Sequence, residues 1–253
     1  GYKNYNYKLL SMISYYSYDI NPQTGSYSNP DIIDQLKESS LLDSASKYGT
    51  KSLISVTSFG KKANHKFLNN EFSQEVFIDS IYSLLRFRQE EGLSFDGVDL
   101  NFEEMSKVDA LEYVHFIKKL NQRLKQGRKK FILILDVPYF NDKLMFNYKD
   151  LSSHVDYFNI MGYDFSGEYS DAPRSVAPLR SLGNSPSIET AVNDFLNLDI
   201  TGEKLILSLP LYGITWNVEG QNGGRQATFN GQRIYSDIKS TYGTEYNYYL
   251  DPF

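Results

Sequence analysis

Ser94-Phe-Asp-Gly-Val-Asp-Leu-Asn-Phe-Glu-Glu-Met105 is the stretch on which the reading of this chain turns. Side chains alternate faces along an extended strand, so Asp99, Asn101 and Glu103 share one face, while Val98, Leu100 and Phe102 share the other. Three polar groups in a row on a packed strand each carry a desolvation penalty unless they find partners. A strand of a parallel barrel resolves the conflict. Its apolar face packs on helices, and its C-terminal end opens to solvent, where barrel enzymes keep their catalytic groups. Glu103 ends the run. Burial and the neighbouring Asp99 are both expected to raise the pKa of Glu103, keeping a proton at hand for general acid work. On the strand pattern alone, a solvated acidic strand end or a salt-bridged rim is an equal reading.

The flanks carry the same rhythm. Strand patterns cover Lys8–Tyr18, Lys51–Phe59, Phe95–Glu103, Lys130–Pro138, Val155–Phe165 and Glu203–Tyr212. Runs such as Phe131-Ile-Leu-Ile-Leu-Asp-Val-Pro138 are nearly continuous in apolar residues, as expected where helices cover a parallel sheet. Helical spacing of apolar residues fills the gaps over Asp31–Tyr48, Ser73–Glu90, Ser106–Gln126 and Ser187–Leu198. Alternating strands and helices predict an α/β fold with a parallel sheet. From Asn217 onward the pattern weakens: Gly220–Arg225 reads as a loop, and Thr228–Phe253 is Tyr-rich with faint strand or turn signals. No leader peptide pattern is visible at the N-terminus.

Composition narrows the classes of function. The 253 residues carry 31 acidic and 26 basic side chains, a net charge of −5, which argues against a basic nucleic-acid-binding face. No apolar run approaches the length of a membrane span. The chain has no Cys, which removes disulfides, thiolate metal sites and Cys nucleophiles, and its 3 His are too scattered to suggest a zinc site. Aromatic residues reach 15%, including 21 Tyr, whose flat faces and polar tips suit walls that bind sugars. Composition alone favours the plainer reading, a Tyr-, Asn- and Ser-rich proteome.

Asp96-Gly-Val-Asp99-Leu-Asn101-Phe-Glu103 resembles the DGxDxDxE signature of glycoside hydrolase family 18, which holds chitinases and endo-β-N-acetylglucosaminidases. Three more segments resemble that family's motifs in the family's order. Ser55-Val-Thr-Ser58-Phe-Gly60 is similar to its SxGG strand, with Lys61 at the second Gly. Met161-Gly-Tyr163-Asp164 is similar to MxYD, and Leu209-Pro-Leu-Tyr212-Gly-Ile-Thr-Trp216 to PxYGRxW, with Ile214 where Arg is common. Four ordered matches over about 160 residues make chance a poor explanation. The resemblance implies a (β/α)8 TIM-barrel fold, of which this chain resembles strands two to seven. Residues 1–216 would form the barrel core, and 217–253 a loop and the start of a small insertion. The family's first and eighth strands have no candidates here, so the chain is expected to be the core portion of a longer barrel.

The resemblance also implies a mechanism without metal or cofactor. Glu103 would protonate the glycosidic oxygen, and the substrate's own N-acetyl carbonyl would attack the anomeric carbon. Water would then open the oxazolinium ion, with Glu103 as base and retention of configuration. Asp99 and Asn101 complete the catalytic strand. Asp96, Ser58, Met161, Tyr163, Asp164, Tyr212 and Trp216 are the expected substrate-binding set, Tyr163 and Asp164 holding the acetamido group. The implied partner is an oligosaccharide or polysaccharide of N-acetylglucosamine: chitin, a peptidoglycan-like glycan or an N-glycan core. The implied location is secreted or cell-surface. Asn101 departs from the family, which places Asp there. Asn can accept the acetamido hydrogen bond but brings no charge to the transition state. A non-catalytic carbohydrate-binding protein is therefore the rival expectation, and a purely structural barrel a third. A cation site from Asp96, Asp99, Glu103 and Glu104 is disfavoured, because strand alternation splits the set.

Overall fold

The computed structural model of the chain describes residues 2–140, 145–181, 183, 185–219 and 226–242. The strands are β1 (Met12–Asp19), β2 (Lys51–Phe59), β3 (Gly97–Glu103), β4 (Ile132–Pro138), β5 (Tyr157–Met161), β6 (Leu205–Ser208), β7 (Tyr212–Glu219) and β8 (Gln226–Ile234). The helices are α1 (Pro30–Glu38), α2 (Leu41–Tyr48), α3 (Lys61–Leu68), α4 (Glu71–Leu85), α5 (Ala110–Leu124), α6 (Tyr148–Leu151), α7 (Ile188–Leu196) and α8 (Tyr235–Tyr242). One sheet holds β1 to β6 in chain order, the singly wound order of a (β/α) barrel, as the sequence predicts. None of the described helices is long and apolar enough to cross a membrane. The chain forms two compact units: residues 2–137 with 145–158, and residues 138–140 with 159–242.

In the first unit β1, β2, β3 and β4 pair in parallel. One face of these strands is largely apolar: Ile54 and Val56, then Val98, Leu100 and Phe102, then Leu133, Leu135 and Val137, all essentially inaccessible. The helices close over it. Phe67 from α3 meets Phe77 of α4, Phe102 of β3 and Phe116 of α5 at ring-centroid distances of 5.9, 6.0 and 5.1 Å. Such pairs add about 0.5–1.5 kcal/mol each beyond their burial. The apolar spacing read from the sequence over α4 and α5 marks these core faces, except at Leu111, which is exposed. Asn70 starts α4 by accepting the Ser73 N–H at 3.2 Å.

Several boundaries differ from the sequence reading. The helix expected over Asp31–Tyr48 is two, because Ser39 is extended and its hydroxyl caps the Leu36 carbonyl at 2.7 Å. Helix α3 is not visible in the apolar spacing, since only Asn64, Phe67 and Leu68 of its residues are buried. In the second unit the strand expected over Glu203–Tyr212 ends at Ser208. Pro210 has no N–H to continue a ladder, and Tyr212 instead opens an antiparallel hairpin, β7 with β8. The faint tail signals up to residue 242 prove to be β8 and α8. The loop Gly220–Arg225 and the tail beyond 242 lie outside the described residues.

Candidate functional site

Register places the polar side chains of the first unit on one face. Ser55 lies beside Asp99, Thr57 beside Asn101 and Phe59 beside Glu103. On the other side of β3, Asn101 lies beside Asp136 of β4. Asp99, Asn101 and Glu103 do share a face, as alternation requires, and Asp136 joins them. Sequence reasoning misses Asp136. The signal available was a lone acid inside an otherwise apolar strand, a position too costly to leave unpartnered.

The local bonds are specific. The Ser14 hydroxyl donates to Asp99 Oδ2 at 3.1 Å. Asp99 Oδ1 is buried and receives no hydrogen bond from an N–H or hydroxyl donor. Burial pushes the Asp99 carboxyl above its ordinary range, while hydrogen bonds with Ser14 and Asp136 pull the other way. Asn101 donates its Nδ2 to Glu103 Oε1 at 2.9 Å, and its Oδ1 is buried without a partner. Asn101 thus aims the glutamate and keeps one amide oxygen free to accept a ligand N–H. Glu103 itself is exposed, so the burial expected there falls on Asp99 instead.

Beyond the ends of β2 and β3 an open cleft of about 1030 Å³ is lined by Phe59, Lys61, Lys62, Glu104, Met105, Lys107 and Met145, among others. Glu104 adopts a left-handed φ of 56°, so the chain leaves the strand there and alternation no longer sets its direction. Phe59 is exposed at the rim, a flat apolar face beside a strand-end carboxylate.

Two expected residues lie elsewhere. Asp96 stands at the opposite end of β3 from Glu103, where its carboxylate accepts the Ser52 N–H at 2.9 Å and pairs with Lys129 at 3.0 Å. Ser58 faces the core, and its hydroxyl donates to Asn64 Oδ1 at 2.7 Å. Asn64 in turn donates to the Glu103 carbonyl at 2.6 Å, so Ser58 and Asn64 brace the strand end from beneath. Asn64→Ala leaves the buried Ser58 hydroxyl and the Glu103 carbonyl without that bridge. We expect a loss of about 2 kcal/mol in chemical denaturation, and a change below about 0.5 kcal/mol would count against the bracing role.

The second unit gathers Tyr163, Asp164 and Tyr212. Met161 ends β5, and Gly162 follows with its N–H on the Ser208 carbonyl at 3.0 Å. A Cβ at Gly162 would stand 2.9 Å from that same oxygen, so the close approach of β5 and β6 demands glycine. Asp164 then takes a left-handed φ of 58°, and its Oδ1 accepts the Tyr212 hydroxyl. The Tyr212 ring meets Tyr163 edge-on at 6.5 Å, and Tyr139 stacks on Phe165 at 3.9 Å. Burial and the Asp164 carboxylate both raise the Tyr212 pKa, keeping the phenol a donor. Trp216 packs edge-on against Phe229 at 5.7 Å within the hairpin, its Nε1 buried and unpartnered. Tyr212→Phe removes the hydroxyl that holds Asp164. It is expected to cost about 1 kcal/mol in chemical denaturation, and unchanged stability would show that Asp164 needs no such anchor.

The pattern of the glycosyl hydrolases family 18 matches residues 2–252. The Bacillus subtilis (strain 168) protein YdhD, whose name describes a sporulation-specific glycosylase, is 26% identical over 232 residues, covering 88% of this chain and 50% of YdhD. The chain thus spans about half the length of that relative. A Cycas revoluta family 18 chitinase solved in complex with (GlcNAc)3 has the same fold, with a TM-score of 0.81 at 19% identity over 94% of this chain and 75% of that one. So does the chitinase-like agglutinin of Robinia pseudoacacia, at a TM-score of 0.81 and 19% identity over 95% of this chain and 76% of that one.

Proposed function

The chain belongs to glycosyl hydrolase family 18, and we propose that it works as a retaining hydrolase of β-1,4-linked N-acetylglucosamine glycans. The observation that carries the reading is Glu103. It is an exposed carboxyl ending β3 beside an open cleft, with one oxygen fixed by Asn101. Glu103 would deliver its proton to the glycosidic oxygen, and the substrate's acetamido group would act as nucleophile, as in this family generally. The free Asn101 Oδ1 is the acceptor for the acetamido N–H. Tyr163, with Asp164 held by Tyr212, is the sugar-binding set we assign to the second unit; Met161 and Trp216 are its wall residues. In this reading residues 1–216 form the catalytic core, and 217–253 a loop and the start of a small insertion. Chitin, peptidoglycan-like and N-glycan substrates all present the required group, and the three lysines of the cleft favour the glycans that carry carboxylates. Such substrates fit a secreted or cell-surface setting.

A second reading is a carbohydrate-binding protein without turnover. The neutral Asn101 favours it, and one fold neighbour is named an agglutinin. Incubation of the full protein with N-acetylglucosamine oligomers and peptidoglycan fragments separates the two. Shortened products support the hydrolase, and binding with every oligomer left intact supports the lectin. Neither binding nor cleavage of any of these glycans would overturn both.

A further inference from the structure

We propose that Asp136 supplies the carboxylate that the family pattern places at residue 101, so that the two-acid unit lies across β3 and β4 instead of along β3 alone. The inference rests on the hydrolase reading above. Four observations carry it. Asp136 is the register neighbour of Asn101, so the two side chains leave the sheet on the same face. Asp136 lies within hydrogen-bonding reach of Asp99, and two carboxyl groups can bond to each other only with a proton between them. Asp99 Oδ1 is buried and has no hydrogen-bond partner among the described residues, which leaves it open to a shared proton. Asn101 donates its Nδ2 to Glu103 Oε1, so the neutral residue on β3 serves the glutamate.

Charge arithmetic makes the substitution chemically sensible. Two aspartates holding one proton carry one negative charge. The family's aspartate pair along a single strand and the Asp99–Asp136 pair of this chain therefore present the same net charge, displaced by one strand spacing of about 4.8 Å. Asn101 keeps the steric place and the hydrogen-bond acceptor of the missing acid. Around the pair stand the Ser14 hydroxyl from β1, the Asp19–Thr57 hydrogen bond joining β1 and β2, Glu103 on β3 and the buried Tyr113 hydroxyl from α5. Asp136 is thus a positioning and charge-bearing residue that acts through Asp99.

The test compares the full protein with Asp136→Asn, Asn101→Asp and the double variant on N-acetylglucosamine oligomers. Asp136→Asn should lower kcat at least about tenfold with KM changed less than about threefold. In the double variant the acid at residue 101 should restore most of the kcat lost in Asp136→Asn. A merely structural Asp136 would not be rescued by an acid on another strand. Unchanged kcat in Asp136→Asn overturns the proposal, as does a double variant as slow as the single. Should Asp136→Asn fail to fold, Asn101→Asp decides on its own: a rise of about tenfold means the charge was missing, and the proposal falls. Should the wild type cleave nothing, the hydrolase reading fails, yet the pair is still testable by carboxyl 13C NMR. The Asp99 titration should then shift in Asp136→Asn relative to the wild type, and an unmoved Asp99 overturns the pairing.

Discussion

Glu103→Gln is expected to slow cleavage of N-acetylglucosamine oligomers by about 10³-fold or more while leaving oligomer affinity within a few-fold. The amide matches the carboxyl in shape but holds no proton that it can give to a leaving oxygen. Its oxygen can still accept the Asn101 Nδ2 bond now made at 2.9 Å, so the side chain should stay aimed as it is. Glu103 is exposed and its backbone is braced by Asn64, so the substitution removes little from the fold. Product analysis by chromatography and affinity by calorimetry read the two halves separately. Cleavage by the variant at the wild-type rate would remove Glu103 as the acid. A parallel loss of affinity would make it a binding group instead.

The contrast between what the sequence reveals and what it hides follows from how each feature is encoded. Alternation along one strand is local information. The shared face of Asp99, Asn101 and Glu103, and the packed face of Val98, Leu100 and Phe102, are therefore legible from residues 97–103. Asp136 is hidden because its neighbourhood is set by register between strands more than thirty positions apart in the chain. Asp96 and Ser58 belong to motif segments, yet motif membership does not say which end of a strand, or which face, a side chain occupies. Asp96 faces the opposite strand end, and Ser58, one residue out of phase with Thr57, points to the core. An apolar run that continues through Pro210 puts Tyr212 on a sheet strand in the sequence pattern. The missing N–H of that proline ends β6 before it. Asp164 reaches Tyr212 only because its backbone turns left-handed just after β5, a feature that no apolar pattern encodes.

Gly97→Ala is expected to destabilise the fold by about 4 kcal/mol or more, or to prevent recovery of folded protein, although it adds one methyl group. The backbone of Gly97 is not left-handed, so alanine could adopt its conformation. The obstacle is space. A Cβ there would lie 2.2 Å from the Ile132 carbonyl oxygen and 2.7 Å from both the carbon and the Cβ of Ile132. Those atoms cannot retreat cheaply. The Ile132 N–H donates to the Asp96 carbonyl at 2.7 Å, and the Asp96 N–H and carboxylate both bind the backbone of Ser52. The starts of β2, β3 and β4 are therefore drawn together around this one position, and parting them would shift the register that sets Asn101 beside Asp136. Gly49 provides the control. It has a left-handed φ of 73° but nothing within 4 Å of an added Cβ, so Gly49→Ala should cost only about 1–2 kcal/mol, from conformation alone. Denaturation of the two variants side by side measures the difference. A Gly97→Ala protein as stable as Gly49→Ala would mean that β3 and β4 do not approach so closely, and the cross-strand pairing of Asp99 with Asp136 would lose its geometric basis.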